Sequence, residues 1–138
     1  MLPGSRPRKS WALCLVGIIA MGALSRLIHT GLVIFDKYLG DALYAAMVYA
    51  ILRLVWMEAA VAVPAMIVMT AIELFQLTMI PARLAVSEHF VARTCARLMG
   101  TEFSFLDLLA YGVGIGCIYF ADSYSGFARD FGRSIFHR

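Results

Sequence analysis

Four long apolar stretches limit what this chain can fold into more than any other feature of its sequence. They cover residues 11–28, 41–56, 61–80 and 103–120. About 20 predominantly apolar residues in an α-helix are enough to cross the hydrocarbon core of a bilayer. Because 62% of the 138 residues are hydrophobic and only 15% are charged, a soluble domain of this size has too little interior to hide them. The sequence therefore predicts an all-α integral membrane bundle of four transmembrane helices.

The segment 81–101, between the third and fourth stretches, has a different pattern. Three arginines alternate there with apolar residues at helical spacing, which is typical of an amphipathic helix at a membrane interface. We therefore expect one interfacial amphipathic helix between helices three and four. In this interpretation residues 11–120 form the transmembrane domain, with a basic cytoplasmic tail at 1–10 and a second cytoplasmic tail at 121–138.

The distribution of charge predicts the orientation. The chain has 12 Lys or Arg against 9 Asp or Glu, and the basic residues gather mainly at the two ends. Lys and Arg are enriched in the cytoplasmic segments of membrane proteins, so four spans with both termini in the cytoplasm are expected. The basic residues do not form the single stripe that nucleic-acid binding uses. Membrane lipids are the expected partners instead.

The first apolar stretch has a second interpretation. A basic start, an apolar middle and small residues at Ala23 and Ser25 are also the pattern of a cleaved signal peptide. Cleavage would leave three spans and remove the partner of the second helix. A retained first helix is therefore favoured, but the sequence leaves both alternatives open.

Polar and charged residues inside the stretches lie toward the ends of the predicted helices that face the outside of the membrane. Glu73 and Gln76 are three residues apart and Asp107 and Tyr111 four apart, so each pair lies on one helical face. An ionised carboxylate facing hydrocarbon is costly, so we expect an outward-facing polar pocket that binds a lipid or cell-envelope precursor head group. The candidate ligand-binding residues are Glu73, Gln76, Asp107, Arg26 as counter-ion, Tyr111, Tyr44 and Asp41.

The same residues also have a purely structural interpretation. Buried polar pairs hold membrane helices together at about 1 kcal/mol each, and a single sequence does not separate this use from ligand binding. Asp41 is expected to be a helix N-cap, and Arg53 an anchor whose charged group extends to the inner interface. Both interpretations of Glu73 and Asp107 stay open.

Cysteine and histidine residues do not indicate a metal or redox site. The three cysteines and three histidines are scattered along the chain without ligand spacing. Nucleophile, metalloprotease and phosphate-binding motifs are also missing from the sequence. We therefore expect no metal and no cofactor, assign no catalytic residue, and favour a non-enzymatic role over an enzymatic one.

Three segments carry a resemblance to a known family. They read YLGDALYAAMVYAILR at 38–53, ELFQ at 73–76 and GTEFSFLDLLAYGVG at 100–114. Together they resemble the bacterial membrane protein family of domain of unknown function 2809, and the last two are more distantly similar to VanZ-like membrane proteins. The resemblance implies a multi-pass protein of the bacterial cytoplasmic (inner) membrane, linked to the cell envelope and glycopeptide tolerance, with no established reaction.

The resemblance also singles out individual positions. Carried over residue by residue, it highlights Gly40, Asp41, Tyr44, Glu73, Gln76, Asp107, Tyr111 and Gly114. Tyr111 stands where VanZ-like chains usually have an asparagine, which puts any shared mechanism in doubt.

Three functional hypotheses follow. The first is non-enzymatic binding of a lipid or envelope-precursor head group in the polar pocket. The second is an accessory or structural subunit of a larger membrane complex, or self-association, through the glycine ridge at 112–116 and the amphipathic segment. The third is a small proton-linked transporter that uses Glu73, which would require a dimer because the chain has no internal repeat.

Overall fold

The computed structural model describes residues 8–28, 31–56, 61–99 and 102–136. Within these residues the chain is all-helical, and six α-helices follow one another. They are α1 (Arg8–Leu27), α2 (Val33–Val55), α3 (Ala62–Gln76), α4 (Ile80–Ala85), α5 (Phe90–Met99) and α6 (Phe105–Phe136). The predicted all-α class is confirmed.

Three of these helices are long and apolar enough to cross a membrane. The suitable segments are Arg8–Ser25 in α1, Asp36–Val55 in α2 and Phe105–Tyr124 in α6. Helix α3 is apolar but has only 15 residues, which at about 1.5 Å per residue is shorter than a hydrocarbon core of about 30 Å. The described part of the chain therefore supplies three candidate spans, where the sequence predicts four.

Helix α3 ends at Gln76 for a local reason. Pro81 has no N–H to donate, and its ring would clash with the carbonyl four residues earlier if the helix continued. The Thr78 hydroxyl donates to the Phe75 carbonyl at 2.7 Å, and Met79 takes a left-handed conformation with φ of 59°. The chain turns here, and Pro81 is accommodated in the first turn of α4.

The long helices are arranged around α2. Helix α2 packs against α1, α3 and α6, and α3 also packs against α6. Trp11, near the start of α1, contacts the C-terminal half of α2, so these two helices are antiparallel. Lys37 and Arg53 of α2 pair with Asp107 and Asp122 of α6 in the same order along the chain. Helices α2 and α6 are therefore parallel.

The buried polar side chains lie at the two ends of this bundle. We call the end at which α3 finishes and α2 and α6 begin the Glu73 end, and the end at which α1 begins and α2 finishes the Asp122 end. Between them lies an apolar core that includes Ala45, Met69 and Ile115. The two polar clusters are thus separated by apolar packing.

The outer surface of the long helices is apolar. Leu13 of α1, Val63 and Ile67 of α3, and Leu109 and Phe120 of α6 are each more than half exposed. So extensive a surface of large apolar side chains is unusual for a protein in water, but it is what helices present to lipid. The surface supports a membrane protein.

Helices α2 and α6 come into backbone contact at Gly114. A Cβ built on Gly114 would overlap the carbonyl oxygen of Ala42 and lie 2.8 Å from its carbonyl carbon. At Gly112 and Gly116 nothing lies within 4 Å of such an atom. Small residues let membrane helices approach closely, and within the described bundle Gly114 is the member of the glycine ridge that is used in this way.

Helix α2 begins earlier than the sequence predicts. Its first residue is Val33, so residues 33–40, which precede the predicted apolar stretch 41–56, are helical. Asp41 therefore lies inside the helix, and its interpretation as an N-cap is wrong. Asp36 is the acidic residue of the first turn, where negative charge interacts favourably with the helix dipole. Lys37, which pairs with α6, holds this first turn against the bundle.

The second half of the chain also differs from the prediction. The amphipathic segment 81–101 is not one helix, because α4 ends at Ala85 and α5 begins at Phe90. Helix α6 continues to Phe136, through most of the segment 121–138 that was expected to form a cytoplasmic tail.

Candidate functional site

The carboxylate of Glu73 is completely enclosed by protein. It lies in the last turn of α3 and has no exposed surface. The Tyr111 hydroxyl donates to Oε2 at 2.9 Å and the Gln76 amide donates to Oε2 at 3.3 Å. The backbone N–H of Ser104 donates to Oε1 at 2.7 Å. Three of the predicted site residues, Glu73, Gln76 and Tyr111, are therefore in direct contact.

Glu73 caps helix α6 from a neighbouring helix. Ser104 directly precedes α6, where backbone N–H groups lack partners within the helix and the helix dipole favours negative charge. Asp107 stands three residues after Ser104, the position whose side chain accepts this N–H in a capping box. Here Glu73 accepts it instead, and Asp107 has another partner. The end of α3 is thereby fixed to the start of α6.

That other partner of Asp107 is Lys37. The Lys37 Nζ lies 3.1 Å from Asp107 Oδ1, and the side chains are 50% and 8% exposed respectively. An ammonium group therefore stands at the surface with a nearly buried carboxylate behind it. The sequence pattern does not single out Lys37, because this residue precedes the apolar stretch 41–56. Lys37 and Asp41 are four residues apart. In a segment recognised as helical, this spacing would have placed Lys37 on the same face as a predicted site residue.

Two further predicted site residues lie on α2 near the Glu73 end. Asp41 and Tyr44 are both partly buried, and Tyr44 packs against the apolar core. The side chain of Arg26, expected to be the counter-ion, lies outside the described residues. Glu73 has no exposed surface, whereas the side chain of Lys37 is half exposed.

A second polar cluster lies at the Asp122 end. Asp122 Oδ2 is 3.0 Å from Arg53 Nε and accepts a hydrogen bond of 3.0 Å from the Tyr49 hydroxyl. Its Oδ1 is 3.4 Å from Arg53 Nη2. The guanidinium carbon lies 5.4 Å from the centroid of the Trp11 ring. One ion pair beneath an aromatic side chain thus joins α1, α2 and α6.

The Arg53 side chain is therefore buried and paired within the bundle, where the sequence predicts an anchor whose charged group extends to the inner interface. The side chains of Arg53 and Asp122 are only 11% and 13% exposed. Removing either residue would therefore leave the other without its ion-pair partner, which is costly at such a position. Sequence reasoning missed the pair because Asp122 was assigned to a tail. Among the residues that the structure describes, no group of three His, Cys, Asp or Glu side chains is placed to hold a metal ion.

Comparison with known protein families finds a match over residues 31–115. This segment matches the family model described as "Protein of unknown function (DUF2809)", and it is more than half of the 138 residues. The chain belongs to the DUF2809 family. The predicted resemblance to this family is thus confirmed. No curated protein and no solved structure matches the chain.

The DUF2809 match covers one polar cluster more fully than the other. Lys37, Glu73, Asp107 and Tyr111 all fall inside the matched segment, whereas Asp122 lies beyond its end. The family description names no activity. The polar cluster at the Glu73 end is therefore the one that lies within the family match of this DUF2809 protein.

Proposed function

We propose that this DUF2809 protein is a multi-pass protein of the bacterial cytoplasmic membrane that binds a zwitterionic lipid head group at its Glu73 end. The observation that carries the proposal is the ion pair in which the ammonium of the half-exposed Lys37 side chain lies 3.1 Å from the carboxylate of the nearly buried Asp107. Both residues stand at the ends of candidate spans, Asp36–Val55 and Phe105–Tyr124. Lipid head groups lie just outside the hydrocarbon core, at the level of such helix ends.

The ion pair has the charges that a phosphoethanolamine group requires. The Lys37 ammonium can bind the phosphate while the Asp107 carboxylate accepts hydrogen bonds from the ammonium of the ligand. The head group would then replace the internal ion pair with two ion pairs of its own. Envelope precursors that carry a phosphate and an amine offer the same chemistry. Glu73 contributes indirectly, because it holds the first turn of α6, and with it Asp107, in place.

Binding of a short-chain phosphatidylethanolamine to the purified protein is expected to weaken about tenfold in Lys37→Gln and in Asp107→Asn. Each variant loses one charge-assisted contact worth about 1.5 kcal/mol. Lys9→Gln changes an exposed residue at the Asp122 end, and Glu102→Gln removes an exposed carboxylate that is not part of the pair; both should bind like the unmodified protein. Titration calorimetry in detergent measures the affinities, and thermal unfolding verifies that each variant is folded. Unchanged affinity in both pair variants would refute the head-group site.

The same proposal includes the topology of the protein in the membrane. We propose that α1, α2, α3 and α6 all cross the bilayer, with both termini in the cytoplasm and α5 outside. The antiparallel arrangement of α1 and α2 and the contact between the end of α3 and the start of α6 support it. Local thinning of the bilayer accommodates a helix as short as α3. The distant similarity of segments 73–76 and 100–114 to VanZ-like proteins is part of this proposal and associates the protein with the cell envelope.

In a protein whose three cysteines are replaced by serine, Glu88→Cys is expected to react with a membrane-impermeant maleimide in intact cells. Glu88 is exposed in the turn between α4 and α5, which the proposed topology places outside. In the same background, Lys9→Cys should react only after the membrane is permeabilised. Reaction of both positions from the same side would mean that α3 does not cross the membrane, since α5 would then return to the side of the N-terminus.

A second candidate function, docking to another transmembrane helix, is favoured by Gly112 and Gly116. The two glycines are four residues apart on one face of α6, and nothing lies within 4 Å of a Cβ built on either. Small residues at this spacing are typical of closely packed membrane helices. The partner would be a second copy or a subunit of a larger membrane complex. We do not extend the proposal to proton-linked transport, because Glu73 has no exposed surface through which to exchange a proton.

A further inference from the structure

Helix α5 has faces of different chemical character. Arg93 and Arg97 are four residues apart and share one side. Ala96 is buried, and α5 packs against α4. Val91 and Cys95 lie on a third side, and both are exposed. The helix therefore presents cationic and apolar groups side by side to its surroundings.

The apolar side of α5 is exposed together with the turn that precedes the helix. Val86 is 84% exposed, Phe90 71% and Val91 72%. Arg83, on α4, is exposed as well. Large apolar side chains next to arginines are costly in water, but they are stable at the boundary between lipid head groups and acyl chains. This combination of groups indicates an environment that is half lipid and half water.

The position of α5 in the fold places it at that boundary. Helices α4 and α5 connect the end of α3 to the start of α6, where the candidate span Phe105–Tyr124 begins. The hydrogen bond from the Ser104 N–H to Glu73 fixes the start of α6 beside the end of α3. The connecting helices are therefore confined to the membrane surface at the Glu73 end.

We propose that α5 lies in the head-group region of the bilayer and binds the phosphates of anionic phospholipids. Arg93 and Arg97 contact the phosphates, because a guanidinium group matches phosphate geometry with two parallel hydrogen bonds. Val91, on the side of the helix away from the arginines, enters the upper acyl region. The charge of the arginines is complementary to an anionic lipid surface. This inference rests on the membrane placement proposed above, but not on the head-group site at Lys37 and Asp107.

The exposed cysteine of α5 provides the probe. In a Cys14→Ser, Cys117→Ser protein, a bimane fluorophore attached to Cys95 is reconstituted into phosphatidylcholine vesicles that contain a minor fraction of brominated lipid. We expect quenching by brominated phosphatidylglycerol to exceed quenching by brominated phosphatidylcholine by at least about fivefold at equal mole fraction, because even one arginine near the surface favours anionic lipid by about that factor. Aqueous iodide should quench the fluorophore weakly.

Variants separate the arginines from general electrostatic attraction. Arg93→Gln with Arg97→Gln should make the two brominated lipids equally effective while the fluorophore stays inaccessible to iodide. Arg8→Gln with Lys9→Gln removes two charges from exposed positions at the Asp122 end and should leave the preference unchanged. Lys37→Gln should also leave it unchanged, so that failure of the head-group site and failure of this proposal give different results.

Three results would overturn the proposal. Equal quenching by the two lipids in the unmodified protein would show that α5 has no preference for anionic lipid. Strong quenching by iodide would place α5 in water. Protection of the fluorophore from both lipids and iodide would assign this surface to a protein partner instead of the bilayer.

Discussion

Gly114→Ala is expected to lower the free energy of unfolding by about 3 kcal/mol, the upper part of the range for overpacking a close-packed interface. The added Cβ would overlap the carbonyl oxygen of Ala42, a backbone atom that cannot rotate away. Helices α2 and α6 would have to separate, which also strains the two ion pairs that join them. Unfolding in mixed micelles with a rising fraction of denaturing detergent measures the loss.

Matched controls lie two residues away on either side. Gly112→Ala and Gly116→Ala add the same methyl group where nothing lies within 4 Å. Because alanine favours the helix over glycine by up to about 1 kcal/mol, these variants should be as stable as the unmodified protein or more so. An equal loss of stability at Gly112 and Gly114 would contradict the contact between α2 and α6.

Larger substitutions in the same glycine ridge test association separately from folding. Gly112→Leu with Gly116→Leu should leave the fold intact, since both positions face open space, but should break a helix pair that forms through this face. If the unmodified protein forms an oligomer or a stable complex in mild detergent and this variant does not, the docking function is supported. An unmodified protein that runs alone as a monomer would remove the support for it.

Glu73→Ala is expected to cost about 3 to 5 kcal/mol of stability. The substitution leaves the Tyr111 hydroxyl, the Gln76 amide and the Ser104 N–H without their common acceptor, and each buried donor left unpaired costs about 1 to 3 kcal/mol. The start of α6 should loosen as well. Detergent unfolding measures the stability, and faster hydrogen exchange at the Ser104 amide reports the lost cap.

The conservative variant defines what the negative charge contributes. Glu73→Gln keeps an acceptor oxygen and nearly the same volume but removes the charge at the N-terminus of α6, so we expect a smaller loss of about 1 to 2 kcal/mol. Glu102→Gln, at an exposed position, should have no measurable effect. A Glu73→Ala protein as stable as the unmodified one would show that this carboxylate does not hold α3 to α6.

Under the proposed function, the structural and the ligand-binding interpretations apply to different residues at the Glu73 end. Glu73, Gln76 and Tyr111 form an enclosed set of hydrogen bonds that join α3 to α6. Lys37 and Asp107 form the part of the cluster that reaches the surface. A folded Glu73→Gln protein should therefore still bind the lipid head group, whereas a folded Lys37→Gln protein should bind it weakly. The two sets of variants test structure and binding separately.

Much of the architecture could be predicted from the sequence, because it depends on local patterns. Continuous apolar stretches determine the all-α class and the helices α1, α2 and α6 as candidate spans. Helical periodicity places Glu73 and Gln76 on one face, and it correctly indicated that Tyr111 would face inward with them. Family membership was also visible in the motifs of residues 38–53, 73–76 and 100–114. Each of these features is a property of neighbouring residues.

Only the tertiary structure decided which residues meet across helices. The Ser104 N–H beside Glu73, the Lys37–Asp107 and Arg53–Asp122 pairs and the contact of Gly114 with Ala42 all join residues far apart in the chain. Such contacts depend on the rotation and register of one helix against another, which many side chains set together through packing. A periodic pattern identifies the inward face of a helix but not the residue on the next helix that it will touch.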